Sequence, residues 1–312
     1  MGKALAIVTN DLTKSYGKSR GIEHLDLLVE EGDFFGFIGP NGAGKSTTIR
    51  TLLGLIQLTS GSAKVLGYDI ANEKEKILEK VGYLPSEIHF YHGMKVRDAL
   101  SFSAELRHAD CRKRADELCS RLDLDPSRKV DDLSLGNRKK VGIICTVQHH
   151  PELLILDEPT SGLDPLMQKE FFSILQEENQ RGSTIFFSSH ILSEVQNYCR
   201  SAALIKDGQI LLSDQVGNLE QTGTKKVTLK GAFRKEKIEA LRGVTFTEIA
   251  RAEGKPSVSE NTGAPASSES PLSFLYNGDI RTLLSVLSQE PIEDITITEP
   301  SLEEIFMHYY ET

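Results

Sequence analysis

The 312-residue chain can hold one large domain or two smaller ones, and its 39% hydrophobic and 26% charged residues describe an ordinary globular composition. A net charge of -9 without any lysine- or arginine-rich run argues against a nucleic-acid partner, which would call for a basic face. Four scattered cysteines (Cys111, Cys119, Cys145, Cys199) form neither a disulfide framework nor a zinc pattern, and no apolar run reaches the roughly 18 residues of a membrane span, so a soluble cytoplasmic chain is expected.

The opening stretch to Glu31 reads as strands joined by turns, with Gly32 and Asp33 as a turn signal. Tyr16 falls in a polar loop between two of these strands. It fits either a half-buried surface tyrosine or a flat ring stacked on a purine. FFGFI (Phe34–Ile38) is a buried strand, and Thr47–Ile56 has apolar positions at helical spacing. Between them Gly39, Pro40, Asn41, Gly42, Ala43, Gly44, Lys45, Ser46 and Thr47 fit G-x-x-x-x-G-K-[ST]. Glycines let backbone amides close around a phosphate chain, and the following helix aims its positive end at the same anion. Lys45 is expected on the β- and γ-phosphates of a nucleoside triphosphate and the Ser46 hydroxyl on Mg²⁺.

Leu58–Ile70 reads as a Ser-Gly turn, a short strand and a Gly turn, followed by the charged helix EKEKILEKVG and the buried strand VGYLP (Val81–Pro85). Lys95–Leu124 is helical in pattern, a block inserted before the next strand. LSLGN (Leu133–Asn137) precedes a helix expected to begin near Arg138. Ser134 and Gly136 there suit either an anion-binding helix terminus or a plain serine N-cap. His149 and His150 read as an interhelix loop without a role. LLILD (Leu153–Asp157) is an apolar strand ending in Asp157 and Glu158. One carboxylate there can hold the Mg²⁺ shell and the other can activate a water; capping of the strand is the plainer alternative. A further buried strand, Ser183–His190, ends in His190, a histidine that taken alone would be incidental.

GPNGAGKST, LSLGN, LLILDEP, SGLD and a lone His190 after a strand, in that order, resemble the ATP-binding cassette ATPases over about residues 3 to 215. The resemblance implies an α/β fold, the P-loop NTPase cassette: a parallel-sheet core, an antiparallel β subdomain and a helical subdomain. It implies further that Tyr16 stacks on adenine, that Asp157 binds Mg²⁺ through water and that Glu158 is the general base. His190 would be the switch residue on the γ-phosphate. Ser134 and Gly136 would meet the γ-phosphate bound on the opposite subunit, with Asp164 in the loop linking the two sites. Three departures stand out. Leu135 and Asn137 replace the usual Gly and Gln of the signature. Ser86 occupies the place of a glutamine that senses Mg²⁺, with Glu87 or a water to substitute. Only one cassette is present, so a homodimer is implied.

Beyond Asp214, strand, helix, strand, strand, helix and strand follow one another (Lys225–Lys230, KEKIEALRG, VTFTEIARAEG, LSFLYNGD, IRTLLSVLSQ, IEDITITE), the ferredoxin-like α+β order. Residues 1–215 are therefore expected as the ATP-binding domain and 216–312 as a C-terminal accessory domain. The Ser/Pro/Gly-rich 254–271 should be a flexible excursion. Ser301 and Glu304 form a capping box, and the stripe Leu302, Ile305, Phe306 and Tyr309 is expected to pack into the domain's own core. A small C-terminal domain of this kind resembles the ATPase subunits of bacterial drug, antimicrobial-peptide and sodium exporters. That resemblance implies an ATP-hydrolysing motor acting on a separate membrane permease and lying peripherally on the inner face of the cell membrane. A non-transport cassette ATPase and a weakly hydrolysing ATP sensor are the alternatives.

Overall fold

A computed structural model describes residues 4–17, 19–220, 224–231, 233–239, 241–245, 271–300 and 304–305. Within these the chain forms two compact units, Met1–Val216 and Gly217–Thr312.

In the first unit, β1 (Leu5–Tyr16) and β2 (Ser19–Glu30) pair antiparallel, and β4 (Ser60–Val65) and β5 (Tyr68–Asp69) complete a sheet of order β2-β1-β4-β5. Tyr16 closes β1 rather than sitting in a loop, paired with Ser19 across the turn. Ser60 and Gly61 belong to β4 rather than to a turn, because β1 is irregular opposite them and the ladder continues through Thr13 and Ser60.

The second sheet has the order β10-β9-β3-β8-β7-β6, from β3 (Phe34–Ile38), β6 (Val81–Leu84), β7 (Leu153–Asp157), β8 (Thr184–Ser189), β9 (Ser201–Lys206) and β10 (Gln209–Gln215). Strands β6, β7, β8, β3 and β9 run parallel, and only the edge strand β10 is antiparallel. β3, β7 and β8 are buried at every position, the signature of a parallel sheet covered on both faces. Phe186 stacks on Phe35 at 5.7 Å and lies 5.4 Å from Phe37, each ring contributing about 1.5–3 kcal/mol of apolar burial. Because β3, β8 and β7 are parallel neighbours, their C-terminal ends leave the sheet on one edge, where open α/β sheets place ligands.

Helices α1 (Lys45–Leu52), α2 (Lys74–Lys80), α3 (Val96–Glu105), α4 (Arg112–Arg121), α5 (Leu135–Val147), α6 (Pro165–Gln180), α7 (Leu192–Tyr198) and α8 (Val216–Glu220) lie between and after these strands, α3, α4 and α5 following one another as a block between β6 and β7. Two helix boundaries differ from expectation. α1 ends at Leu52 because Gly54, at φ 62, turns the chain out of the helix. α5 begins at Leu135, three residues before Arg138, because the Ser134 hydroxyl accepts the Asn137 N–H at 3.3 Å and caps it there. His149 and His150 connect α5 to β7, so their loop lies between a helix and a strand, not between helices.

The second unit is a β-α-β-β-α-β arrangement of β11 (Lys225–Gly231), α9 (Lys235–Glu239), β12 (Val244–Thr245), β13 (Leu272–Tyr276), α10 (Ile280–Leu287) and β14 (Ile292–Thr298), with α9 and α10 the two helices of the pattern. Its sheet order, β12-β13-β11-β14 with every pair antiparallel, is the ferredoxin-like topology. Val227, Leu229, Ile238, Phe274, Tyr276, Leu283 and Leu287 form its core. The excursion expected over 254–271 lies outside the described residues except for Pro271, as do Ser301, Leu302, Phe306 and Tyr309; of that last segment, Ile305 is buried and Glu304 pairs with Lys226 at 2.6 Å. Among the described residues no helix is long and apolar enough to cross a membrane.

Candidate functional site

The loop after β3 wraps the N-terminus of α1. Gly44 caps that helix at φ 109, a conformation closed to side chains, and a Cβ there would meet Ile22 Cγ2 at 2.9 Å. Lys45 Nζ donates to the carbonyls of Gly39 (2.6 Å) and Pro40 (3.1 Å), so the lysine folds back over its own loop. A cavity of about 590 Å³ opens over this loop, lined by loop residues together with Ser86, Glu87, Glu158 and His190, and also by Gly21 and Ser161.

Three neighbouring strand ends meet there. Lys45 Nζ lies 3.0 Å from Glu158 Oε1, and Glu158 Oε2 is 2.6 Å from His190 Nδ1. Lys45 is 6% exposed and the Glu158 side chain 18%, so this cation–carboxylate–imidazole chain sits at the edge of solvent. Glu158 holds φ 50, a left-handed conformation that costs a non-glycine residue about 1–2 kcal/mol. Ser188 on β8 links the Asp157 carboxylate to the Glu158 main chain: its hydroxyl donates to Asp157 Oδ1 at 2.8 Å and accepts the Glu158 N–H at 3.1 Å. Asp157 is fully buried, and its other oxygen, Oδ2, has no protein partner among the described residues. A buried carboxylate oxygen left without a donor normally costs folding free energy. Asp157 is not itself among the lining residues, but it immediately precedes Glu158, which lines the cavity together with Ser46; an unpartnered carboxylate oxygen and a hydroxyl are oxygen donors of the kind that fits a hydrated Mg²⁺.

The other residues singled out in the sequence lie elsewhere. Tyr16, 46% exposed at the end of β1, is not among the lining residues, and Lys14 Nζ sits 5.0 Å from its ring centroid. Ser134 caps α5, and Gly136 follows in its first turn. A Cβ on Gly136 would meet the Gly162 carbonyl at 2.9 Å, so the signature rests directly against the SGLD loop. Asp164 caps α6, its Oδ1 accepting the N–H groups of Leu166 (3.0 Å) and Met167 (3.1 Å). Ser134, Gly136 and Asp164 thus stand apart from the cavity of their own chain.

Sequence reasoning passed over Ser188, Ser161, Gly21 and Lys139. Lys139 on α5 is buried, and its Nζ donates to the carbonyls of Glu158 (3.1 Å) and Ser86 (3.3 Å). Burial pushes its ammonium below the usual lysine range, against the opposing pull of Asp157 and Glu158. The pair of lysines after LSLGN was the only trace of it, and a run of charge on a helix ordinarily faces water.

Residues 22–161 match the sequence model of the ABC transporter family. Over 208 residues the chain is 40% identical to the bacitracin transport ATP-binding protein BcrA of Bacillus licheniformis, an alignment spanning 66% of this chain and 68% of that protein. Among solved structures, an ATP-binding subunit of an ABC transporter superposes with a TM-score of 0.66 at 28% identity, covering 69% of this chain and 92% of that one. A dimeric bacterial ABC transporter cassette superposes at TM-score 0.62 and 21% identity, over 67% of this chain and 98% of that one, a likeness of fold.

Proposed function

Because this chain belongs to the ATP-binding proteins of ABC transporters, a family of ATPases, we propose that it is the motor subunit of an exporter, in which two copies close over two ATP·Mg²⁺ and drive a separate membrane permease. The observation that carries the reading is the Lys45–Glu158–His190 chain at the mouth of the phosphate-loop cavity. Kinship with a bacitracin transport protein favours drug or peptide export, and likeness to a dimeric cassette favours the pairing. The division into an ATPase domain, 1–215, and an accessory domain, 216–312, belongs to the same proposal, supported by the two compact units.

In this scheme the residues of Gly39–Thr47 hold the phosphates, and Tyr16 stacks on the adenine. Lys45 exchanges the Gly39 and Pro40 carbonyls for phosphate oxygens. That exchange also releases Glu158 from its ion pair, so binding of the substrate arms the base. A water attacks the γ-phosphorus as the bond to the ADP oxygen breaks, and Glu158 takes up the proton of that water. His190 orients Glu158 through Nδ1 and faces the γ-phosphate. Mg²⁺ supplies charge neutralisation between the β- and γ-phosphates when bound; Ser46, Asp157 and the Ser86 position would hold it. Ser134, Gly136 and Asp164, which stand away from their own cavity, complete the partner's site. The complex lies on the inner face of the membrane through the permease.

ATPase rate against protein concentration, with and without Mg²⁺, tests this for the parent and Glu158→Gln. A Mg²⁺-dependent rate rising faster than linearly, and reduced by about 10²–10⁴-fold in the variant, is expected. Parental turnover in Glu158→Gln would remove Glu158 as the base. Absence of turnover at every concentration would favour a second reading, an ATP sensor, which Ser86 in place of glutamine supports.

A further inference from the structure

Lys139 belongs to none of the motifs that mark the site, yet it holds two of their backbones together. It is 4% exposed, and a buried ammonium requires acceptors; it finds the carbonyls of Glu158 at 3.1 Å and of Ser86 at 3.3 Å. We propose that Lys139 is a positioning residue for ATP hydrolysis, clamping the main chain of Glu158 and the Ser86 wall of the cavity to the helix that Ser134 caps. The inference rests on Glu158 as the base, as assigned above.

The argument is geometric. Glu158 is held in a left-handed conformation, which persists only where the surroundings over-determine it. Its N–H is fixed by Ser188 on β8 and its carbonyl by Lys139 on α5, so two elements grip the peptide units flanking its Cα. The same ammonium reaches Ser86, at the position where the motif pattern expects a glutamine, and ties the cavity wall to the base. Lys139 itself does not line the cavity, so it acts through Glu158 and Ser86 without touching substrate. It follows Ser134 by five residues of continuous helix, about 1.4 turns, so a displacement of Ser134 by the partner's nucleotide is carried rigidly to the clamp. In this way each signature reports to the base of its own subunit.

The test uses the full chain, after parent and Glu158→Gln have been compared as above, with Lys139→Met, Lys139→Gln and Lys139→Arg. Methionine keeps the length and removes the donors, glutamine keeps a neutral donor, and arginine restores charge and donors. Misplacing a reacting group by about 1 Å costs on the order of 10²-fold, so Lys139→Met should lose about 10–100-fold in kcat. KM for ATP and binding of a fluorescent ATP analogue to the isolated protein should stay within about twofold, since the phosphate loop is untouched. Arginine should recover most of kcat, and glutamine should fall between. Unchanged kcat in Lys139→Met overturns the clamp. So does parallel loss of kcat and nucleotide affinity without recovery by arginine, which would mark Lys139 as merely structural. If methionine does not fold, by far-ultraviolet circular dichroism, the comparison of glutamine with arginine decides: equal kcat refutes the clamp. An inactive Glu158→Gln beside a fully active Lys139→Met removes the clamp alone, whereas a fully active Glu158→Gln removes the base assignment beneath it.

Discussion

Glu178 is fully buried on α6, where it makes one of several ion pairs that tie α4 of the inserted helical block to α6, beside Arg121 with Glu170 and Glu177. It receives Arg114 of α4 at 3.0 Å, Arg181 at 2.8 Å and His150 at 2.7 Å. Replacing Glu178 by alanine removes three contacts of unequal worth. Arg181 and His150 are 50% and 45% exposed and return to water, so each loses about 0–1 kcal/mol. Arg114 is buried, and its Nε already lacks a partner among the described residues; it keeps Glu117 at 2.6 Å and Glu177 at 3.7 Å but loses its buried counter-charge. Breaking a buried pair costs roughly 3–5 kcal/mol, and the surviving Glu117 contact places this case near the lower end, at about 3 kcal/mol. The chain contains 0 tryptophans, so urea unfolding is best followed by far-ultraviolet circular dichroism. With a slope of about 2–3 kcal/mol/M, the midpoint of the main transition should fall by about 1–1.5 M. The double variant Glu178→Met with Arg114→Met, which removes both charges, should come back to within about 1 kcal/mol of the parent. A single-variant shift below about 0.3 M, or a double variant no better than the sum of the singles, would refute the account.

Gly44→Ala places a Cβ at φ 109 and 2.9 Å from Ile22 Cγ2, so the loop must move. We expect about 1–2 kcal/mol of lost stability and at least about tenfold weaker ATP binding by titration calorimetry, with parental affinity as the refuting result. His149 is pushed down to about 4 from the ordinary 6.5, first by burial and then by the Arg107 charge, and neither ring nitrogen has a partner among the described residues. Between those two values the unfolded chain binds a proton that the folded chain refuses, so stability falls as pH drops from 6.5 toward 4, by up to one proton's slope. Melting temperature against pH should be flatter over that window in His149→Gln, and identical slopes would sink the explanation.

The phosphate loop, the strand ending in Asp157 and Glu158, and His190 after the next strand were legible because each is a local pattern: a glycine spacing, an apolar run, a residue type at a strand end. The ferredoxin-like order of the second unit was legible for the same reason, from alternating periodicities. The register and neighbourhood of β3, β8 and β7 belong to the tertiary structure alone. Pairing of Ile38 with Ser189, 151 positions on, and of Asp157 with Ser188, 31 positions on, brings all four onto one edge. Helix α5 shows the boundary most clearly. Its sequence announced a serine near a helix start, but the capping geometry moved that start to Leu135. That start sets which face of α5 each residue occupies, and packing against β6, with the Ser86 and Glu158 carbonyls in reach, turned Lys139 from a surface charge into a buried ammonium between two carbonyls. A lysine carries the same letter in either setting; burial and its partners depend on elements distant in the chain, so only the fold could assign them.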